Sequence, residues 1–300
     1  MTTITHSKAL CSVLMAGTLW SFGALIIRYM INPQYYRWQY LFFRGLTIAG
    51  ILCIYLIAKD GNRFVINFRR IGMSGVIGAF GLVGAFICFI WSITLTTAAN
   101  ALFLLATIPF LAAFMGIVVL KERIRPITWV AMTMALIGIS VMVIEGFEAG
   151  SVLGTIIGFA AACGFAIFSV SLRFRKETPQ FATIALAGIL CVILTAIILH
   201  IQSESVLMPN RNILLSIIHG SLVGVGLILF SFGAKYFPAA ELNLLSLLEV
   251  VGGVVWVYLP IFGINEVPSS LTLVGGCIVS GAILLNSLGT RYKPEAAKIL

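Results

Sequence analysis

The chain has 300 residues, 60% of them hydrophobic and only 10% charged, with a mean hydropathy of +1.10 and a formal net charge of +9. A soluble domain is about a quarter charged and under half apolar, so a water-soluble fold is excluded and the chain belongs in a bilayer. The only Asp is Asp60, the only histidines are His6, His200 and His219, and no Gly precedes a Lys, which removes aspartyl intramembrane proteolysis, His-rich metal sites and a self-contained P-loop ATPase.

A bilayer-crossing helix needs about 20 mostly apolar residues. Charge, Pro and Asn divide the chain into ten such spans, at 10–30, 38–58, 71–95, 99–120, 127–144, 151–172, 181–201, 213–234, 239–258 and 271–288. The first is too long for a signal-peptide core and ends in Arg28 and Asn32 rather than at a small-residue cleavage site, so it is expected to stay on the protein. Cys11, Cys53, Cys88, Cys163, Cys191 and Cys277 are widely separated within apolar runs and suggest neither a disulfide framework nor a metal site. No metal, cofactor or nucleic-acid partner is expected. The expected partners are the lipid bilayer and a small-molecule substrate, with the chain acting as a monomer or homodimer.

Every Lys and Arg except Arg28, Arg37, Arg44 and Arg211 falls at one end of these spans. The positive-inside rule makes that end cytoplasmic, together with both termini, in a multi-pass protein of a cell inner membrane. The charge of +9 therefore encodes orientation rather than an affinity for nucleic acid.

The spans repeat. Ala49-Gly50-Ile51-Leu52-Cys53 in the second recurs as Ala187-Gly188-Ile189-Leu190-Cys191 in the seventh, Ala98-Ala99-Asn100 opening the fourth is answered by Ala239-Ala240-Glu241 opening the ninth, and Arg28 and Arg173 end the first and sixth. Five spans followed by five more must enter the membrane in opposite senses. The expected architecture is an all-α polytopic membrane protein of two inverted-topology five-helix repeats, 9–145 and 150–289, with a tail at 290–300. A binding site is expected near the midplane between the halves.

Gly17-Thr18-Leu19-Trp20-Ser21-Phe22 in the first span, Arg44 in the second, Lys121-Glu122-Arg123 after the fourth and Ser246-Leu247-Leu248-Glu249 in the ninth resemble the EamA-type members of the drug/metabolite transporter superfamily. The resemblance implies a secondary carrier of small organic molecules such as amino acids or other metabolites, not an enzyme. The family often places Pro after that Glu; here Val250 follows Glu249 and Pro109 is the Pro at matching depth in the fourth span. Helix flexing is therefore expected on one side only, with Pro109 as the hinge candidate.

Glu249 sits midway along an apolar span, where a charge costs about 2.5–3.5 kcal/mol unless it faces a cavity. It is the proton-coupling candidate, against a structural role as a hydrogen-bonded lock between helices. At helical spacing it shares a stripe with Ser246, Gly253 and Trp256. Arg44, two turns into the second span, could hold a carboxylate or phosphate, or instead snorkel outward or pair with Glu249. Trp20, Ser21, Trp91 and Trp256 are candidates for an aromatic pathway lining, against ordinary packing. Asn100 and Asn243 are further pathway candidates that could equally cap or cross-link helices. Gly72, Gly75, Gly78, Gly81 and Gly84 in the third span, and Gly220 and Gly224 in the eighth, mark close helix approaches. The loop cations Lys121, Arg123 and Arg173 read as topology signals. The competing classes are a flippase for lipids or lipid-linked substrates, a channel, and a membrane-embedded transferase.

Overall fold

A computed structural model describes residues 3–61, 64–96, 98–144, 151–174, 180–263 and 267–288, and these form helices and short connectors with no strand among them. The helices are α1 (Thr3–Tyr29), α2 (Arg37–Asp60), the short α3 (Phe64–Arg69), α4 (Gly72–Leu95), α5 (Ala98–Leu105), α6 (Ile108–Leu120), α7 (Pro126–Val143), α8 (Val152–Phe174), α9 (Gln180–Ile201), α10 (Asn210–Gly233), α11 (Ala239–Ser246), α12 (Leu248–Tyr258) and α13 (Ser270–Leu288). Ten segments are long and apolar enough to cross a membrane, and they coincide with the ten expected spans to within a few residues at each end. The pairs α5–α6 and α11–α12 each make one crossing. The boundary expected at 145–150 and the tail at 290–300 lie outside the described residues.

Proline opens helices here. Pro126 is the first residue of α7, and Pro209 and Pro238 immediately precede α10 and α11, positions where the missing N–H has no partner within the helix. The fourth crossing breaks for a related reason. Pro109 has no N–H for the carbonyl of Leu105 and its ring crowds that carbonyl, so α5 stops at Leu105 and the chain tightens through Ala106 N–H to Phe103 O (3.1 Å) and Thr107 N–H to Leu104 O (3.1 Å) before α6 begins. Pro109 thus lies in the first turn of the second segment, just after the break.

The ninth crossing breaks too, which overturns the expectation of one-sided flexing. No Pro is involved. The Asn243 amide donates to the carbonyl of Ala239 (2.7 Å) and the Ser246 hydroxyl to that of Asn243 (2.8 Å), and such side-chain bonds compete with the helical ladder. The turn at Leu247 then closes through Leu247 N–H to Leu244 O (3.2 Å) and Val250 N–H to Leu247 O (3.0 Å). The stripe expected to join Ser246 to Glu249 is cut at this point.

Helix pairing is ordered. α4 packs on α8 and α10 on α1; α5 and α6 pack on α8, and α11 and α12 on α1; α4 also meets α9, as α10 meets α2; α5 rests on α7 and α12 on α13; α2 pairs with α9, α7 with α13 and α6 with α11. These partnerships survive exchange of the first five crossings for the last five, whereas the contacts of α11 with α7 and α8 and of α4 with α5 have no counterpart of the same extent. The matching pentapeptides meet in the α2–α9 seam, where a Cβ on Gly188 would lie 2.8 Å from the Ala49 nitrogen and one on Gly45 3.2 Å from Cys191 Cβ. In the α4–α8 seam, Gly81 and Gly164 press backbone to backbone, a Cβ on Gly164 reaching within 2.6 Å of the Gly81 carbonyl. Gly84, by contrast, has nothing within 4 Å. Gly220 of α10 abuts Arg44 and Thr47 of α2, and Gly224 lies one turn further along the same contact.

Large apolar side chains such as Ile54, Phe80, Phe114, Ile156 and Leu284 point away from the bundle. In water such a surface would drive aggregation; against lipid tails it costs nothing, because the tails are equally apolar. An apolar groove of about 840 Å³ runs along the outside of the α4–α8 seam between Phe80 and Phe159.

Candidate functional site

The end of the bundle that carries Lys8, Lys59, Lys121, Arg173 and Lys235 is closed by two ion pairs. Glu122, just after α6, receives the Arg173 Nε from the end of α8 and also accepts the N–H of Ala239 at 3.0 Å. The same guanidinium donates to the carbonyls of Ala234 (2.5 Å) and Phe237, between α10 and α11. Beside it, Arg125 donates to Glu241 of α11 at 2.8 Å, and the Thr128 hydroxyl lies 3.2 Å from Glu241 and 3.0 Å from the Asn286 amide oxygen of α13. His6 of α1 packs against Phe237, ring centroids 4.8 Å apart. Every residue of α11 is buried. Glu122, Arg125, Arg173 and Glu241 therefore bind helices of both halves to one another. These cations fix helices as well as topology, and the pairs they form connect residues more than 50 positions apart, which leaves no local signature in the sequence.

At the opposite end the two broken crossings pack on different helices. α6 and α11 pack together, whereas α5 leans on α4, α7 and α8, and α12 on α1 and α13. All of α12 whose burial is described, apart from Val250, is half-buried or exposed. Trp256 lies on this wall, stacked on Phe22 at 4.4 Å and 17°, its Nε1–H donating to the Ser21 hydroxyl at 2.7 Å. Trp91 stands near the mouth with Arg37 over its ring at 4.3 Å and Trp38 beside it at 5.3 Å, and its buried Nε1–H has no partner. Two clasps hold the rim at α1: Asn212 accepts from Ile31 N–H (2.9 Å) and donates to its carbonyl (2.8 Å), and the Tyr29 hydroxyl donates to the carbonyl of Phe262.

Between these ends lies a charged centre. Arg44 is 6% exposed, its guanidinium 4.3 Å over the Phe86 ring and 5.8 Å from that of Tyr40. Gly220 sets its backbone tightly against α10, where a Cβ would come within 2.9 Å of the Arg44 carbonyl. The Tyr40 hydroxyl is hydrogen-bonded to His219 Nδ1, and Gly23 of α1 presses on the other side of that imidazole. Glu249, half-buried in the first turn of α12, is within electrostatic reach of the Arg44 charge. They do not pair: Arg44 makes no ion pair within 4.0 Å among the described residues, and its Nε–H is buried without a partner.

The remaining candidates fall elsewhere. Trp20 is packed between Phe165, Phe230 and Gly226 and sits in the core. Asn243 joins α11 to Ser169 of α8 at 2.8 Å, a helix cross-link, and Ser246 bonds its own backbone. The Asn100 side chain lies outside the described residues. Ser21 and Trp256 are joined by a hydrogen bond, Trp91 sits with Arg37 and Trp38, and Arg44 and Glu249 lie within reach of each other's charge. Tyr40, Phe86 and His219 were missed: each reads as an ordinary apolar-span residue, and only the packing of α2, α4 and α10 brings them together.

A search of curated proteins found no match to this sequence. One solved crystal structure superposes with a TM-score of 0.76 at 23% identity, over 95% of this chain and 98% of the other, which establishes a shared fold. The family model of the EamA-like transporter family matches residues 7–144. That match falls on the first five crossings of a ten-crossing helical bundle: residues 7–144 of this multi-pass membrane chain are similar to the EamA-like transporter family.

Proposed function

We propose that the protein is a secondary active transporter that carries small organic metabolites, amino acids or related compounds among them, across a cell inner membrane by alternating access, with Glu249 exchanging a proton. In this reading both termini and the ion-paired end are cytoplasmic, and the chain stands open to the outside. The observation that carries it is the packing of two broken crossings: α6 and α11 pack together at one end, while at the other α5 packs on α4, α7 and α8 and α12 on α1 and α13. Discontinuous helices at the midplane are where carriers build their binding sites, and the pairing of α4 with α8 and α9, matched by that of α10 with α1 and α2, supports two inverted repeats able to rock against each other.

The direct test is solute flux in proteoliposomes across a metabolite panel, with and without a pH gradient. Wild type should concentrate at least one solute when a gradient is applied, and Glu249→Gln should transport without responding to it. An unchanged pH response in Glu249→Gln would remove the proton role. A flippase has one observation in its favour, the groove beside the α4–α8 seam, but that groove is lined by apolar side chains from Met73 to Ile167 and offers no headgroup a partner. Lipid scrambling with no solute flux would reverse this preference.

A further inference from the structure

We propose that Arg44 is the anion-binding residue of the interior cleft: it takes the carboxylate of a small organic acid, and that acid is bound together with one proton on Glu249. The proposal rests on the carrier reading and names its substrate class. Its first support is a buried charge with an unpartnered donor. A guanidinium has five N–H donors and no acceptors, and one buried without an anion is strongly disfavoured; here the residue is 6% exposed, its guanidinium lies over Phe86 and beside Tyr40, no carboxylate pairs with it within 4.0 Å among the described residues, and its Nε–H is unpartnered. Its second support is placement. Gly220 presses on the Arg44 backbone and Gly45, the next residue, is wedged against Gly188 and Cys191 of α9, so the charge is held at a rigid junction of α2, α9 and α10. Phe86 and the Tyr40–His219 pair surround it with rings that suit the apolar body of an organic acid.

The proton follows from charge balance. With Glu249 ionised, the Arg44–Glu249 centre is neutral. A carboxylate arriving at Arg44 leaves it with one net negative charge in a low-dielectric interior, and a proton taken by Glu249 restores neutrality. The other titratable groups among the described residues on which Arg44 acts are Tyr40, Cys191 and His219, none of which starts as an anion. At a separation of about 6 Å and an effective dielectric of about 20, the coupling between the two carboxylates corresponds to about a hundredfold in binding. Anion and proton binding therefore reinforce each other, and the loaded centre carries no net charge as it crosses the membrane.

The test uses the full chain in lipid nanodiscs and a size series of acetate, benzoate and 2-naphthoate against their uncharged amides, read by isothermal titration in two buffers of different ionisation enthalpy. At least one carboxylate should bind ten times or more tighter than its amide, with uptake of close to one proton per anion in the pH range where Glu249 titrates. Arg44→Gln should weaken that carboxylate a hundredfold and leave the amide unchanged, while Arg44→Lys, which keeps the charge, should recover part of the loss. Glu249→Gln should still bind the anion, with no proton uptake. Equal binding of every carboxylate and its amide, or full affinity in Arg44→Gln with normal thermal unfolding, overturns the anion site. Proton uptake that persists in Glu249→Gln overturns the linkage. If neutral or cationic solutes are transported in proteoliposomes while no carboxylate binds, the carrier reading stands and this inference falls; if carboxylates bind but nothing is transported, the site stands and the carrier reading falls.

Discussion

Arg173→Gln should open the ion-paired end of the bundle. The guanidinium holds Glu122 and the carbonyls of Ala234 and Phe237 at once, so it ties the end of α8 to the loop after α6 and to the turn between α10 and α11. Removing one partner of a buried pair costs about 3–5 kcal/mol because the other is left buried and unpaired. Here the two side chains keep 20% and 10% of their exposure, and solvent screening lowers the expected loss to about 2 kcal/mol. That is about a 30-fold change in the ratio of closed to open forms. In a background with the native cysteines replaced, a reporter Cys in place of the fully buried Ala112 of α6 should then react with a membrane-impermeant maleimide about 30 times faster from that side. Adding Glu122→Gln should change little further, since both residues act in one network. Unchanged labelling would show that the pair fixes the end only statically.

Gly275→Ala should be among the most damaging single-methyl changes in the molecule, and its neighbour Gly276→Ala should be harmless. A Cβ on Gly275 would strike the Gly138 carbonyl of α7 and come within 2.7 Å of the Met142 nitrogen, so helix backbones rather than side-chain tips would have to give. The reverse contact is close but looser, a Cβ on Gly138 lying 2.9 Å from the Gly275 carbonyl. Overpacking of this kind costs about 1–3 kcal/mol, and the upper end is expected where backbone opposes backbone. Gly276 has nothing within 4 Å, so Ala there should be neutral or stabilise by about 0.5–1 kcal/mol through reduced chain entropy. Thermal unfolding of the two variants in detergent checks this directly. Equal unfolding temperatures would mean that α7 and α13 are not held as closely as described.

The crossings were legible because hydropathy and punctuation are local: charges, Pro and Asn mark every span, and each reappears as a helical crossing. The break in α11–α12 was not, because it depends on how the Asn243 and Ser246 side chains fold back on their own backbone, whereas Pro109 announces its break by residue type. Arg44 and Glu249 stood out as charges within apolar runs. Their neighbours Tyr40, Phe86 and His219 did not, since a Tyr, a Phe or a His in a span is commonplace and acquires meaning only when α2, α4 and α10 converge. The same reason hid Glu122–Arg173 and Arg125–Glu241, which looked like ordinary loop charges and the start of a span until the bundle closed around them.

The central claim is that the two ends of the cleft open in alternation. Pulsed electron–electron distance measurements on the reconstituted protein test it most directly, with one spin-label pair at Phe103 of α5 and Tyr258 of α12 and a second at Lys121 and Lys235, residues of the two separately packed segments and of the ion-paired end respectively. On addition of a transported solute the first distance should shorten while the second lengthens, and Arg173→Gln should favour the second arrangement without solute. Two distances that never change, or that lengthen and shorten together, would contradict the account.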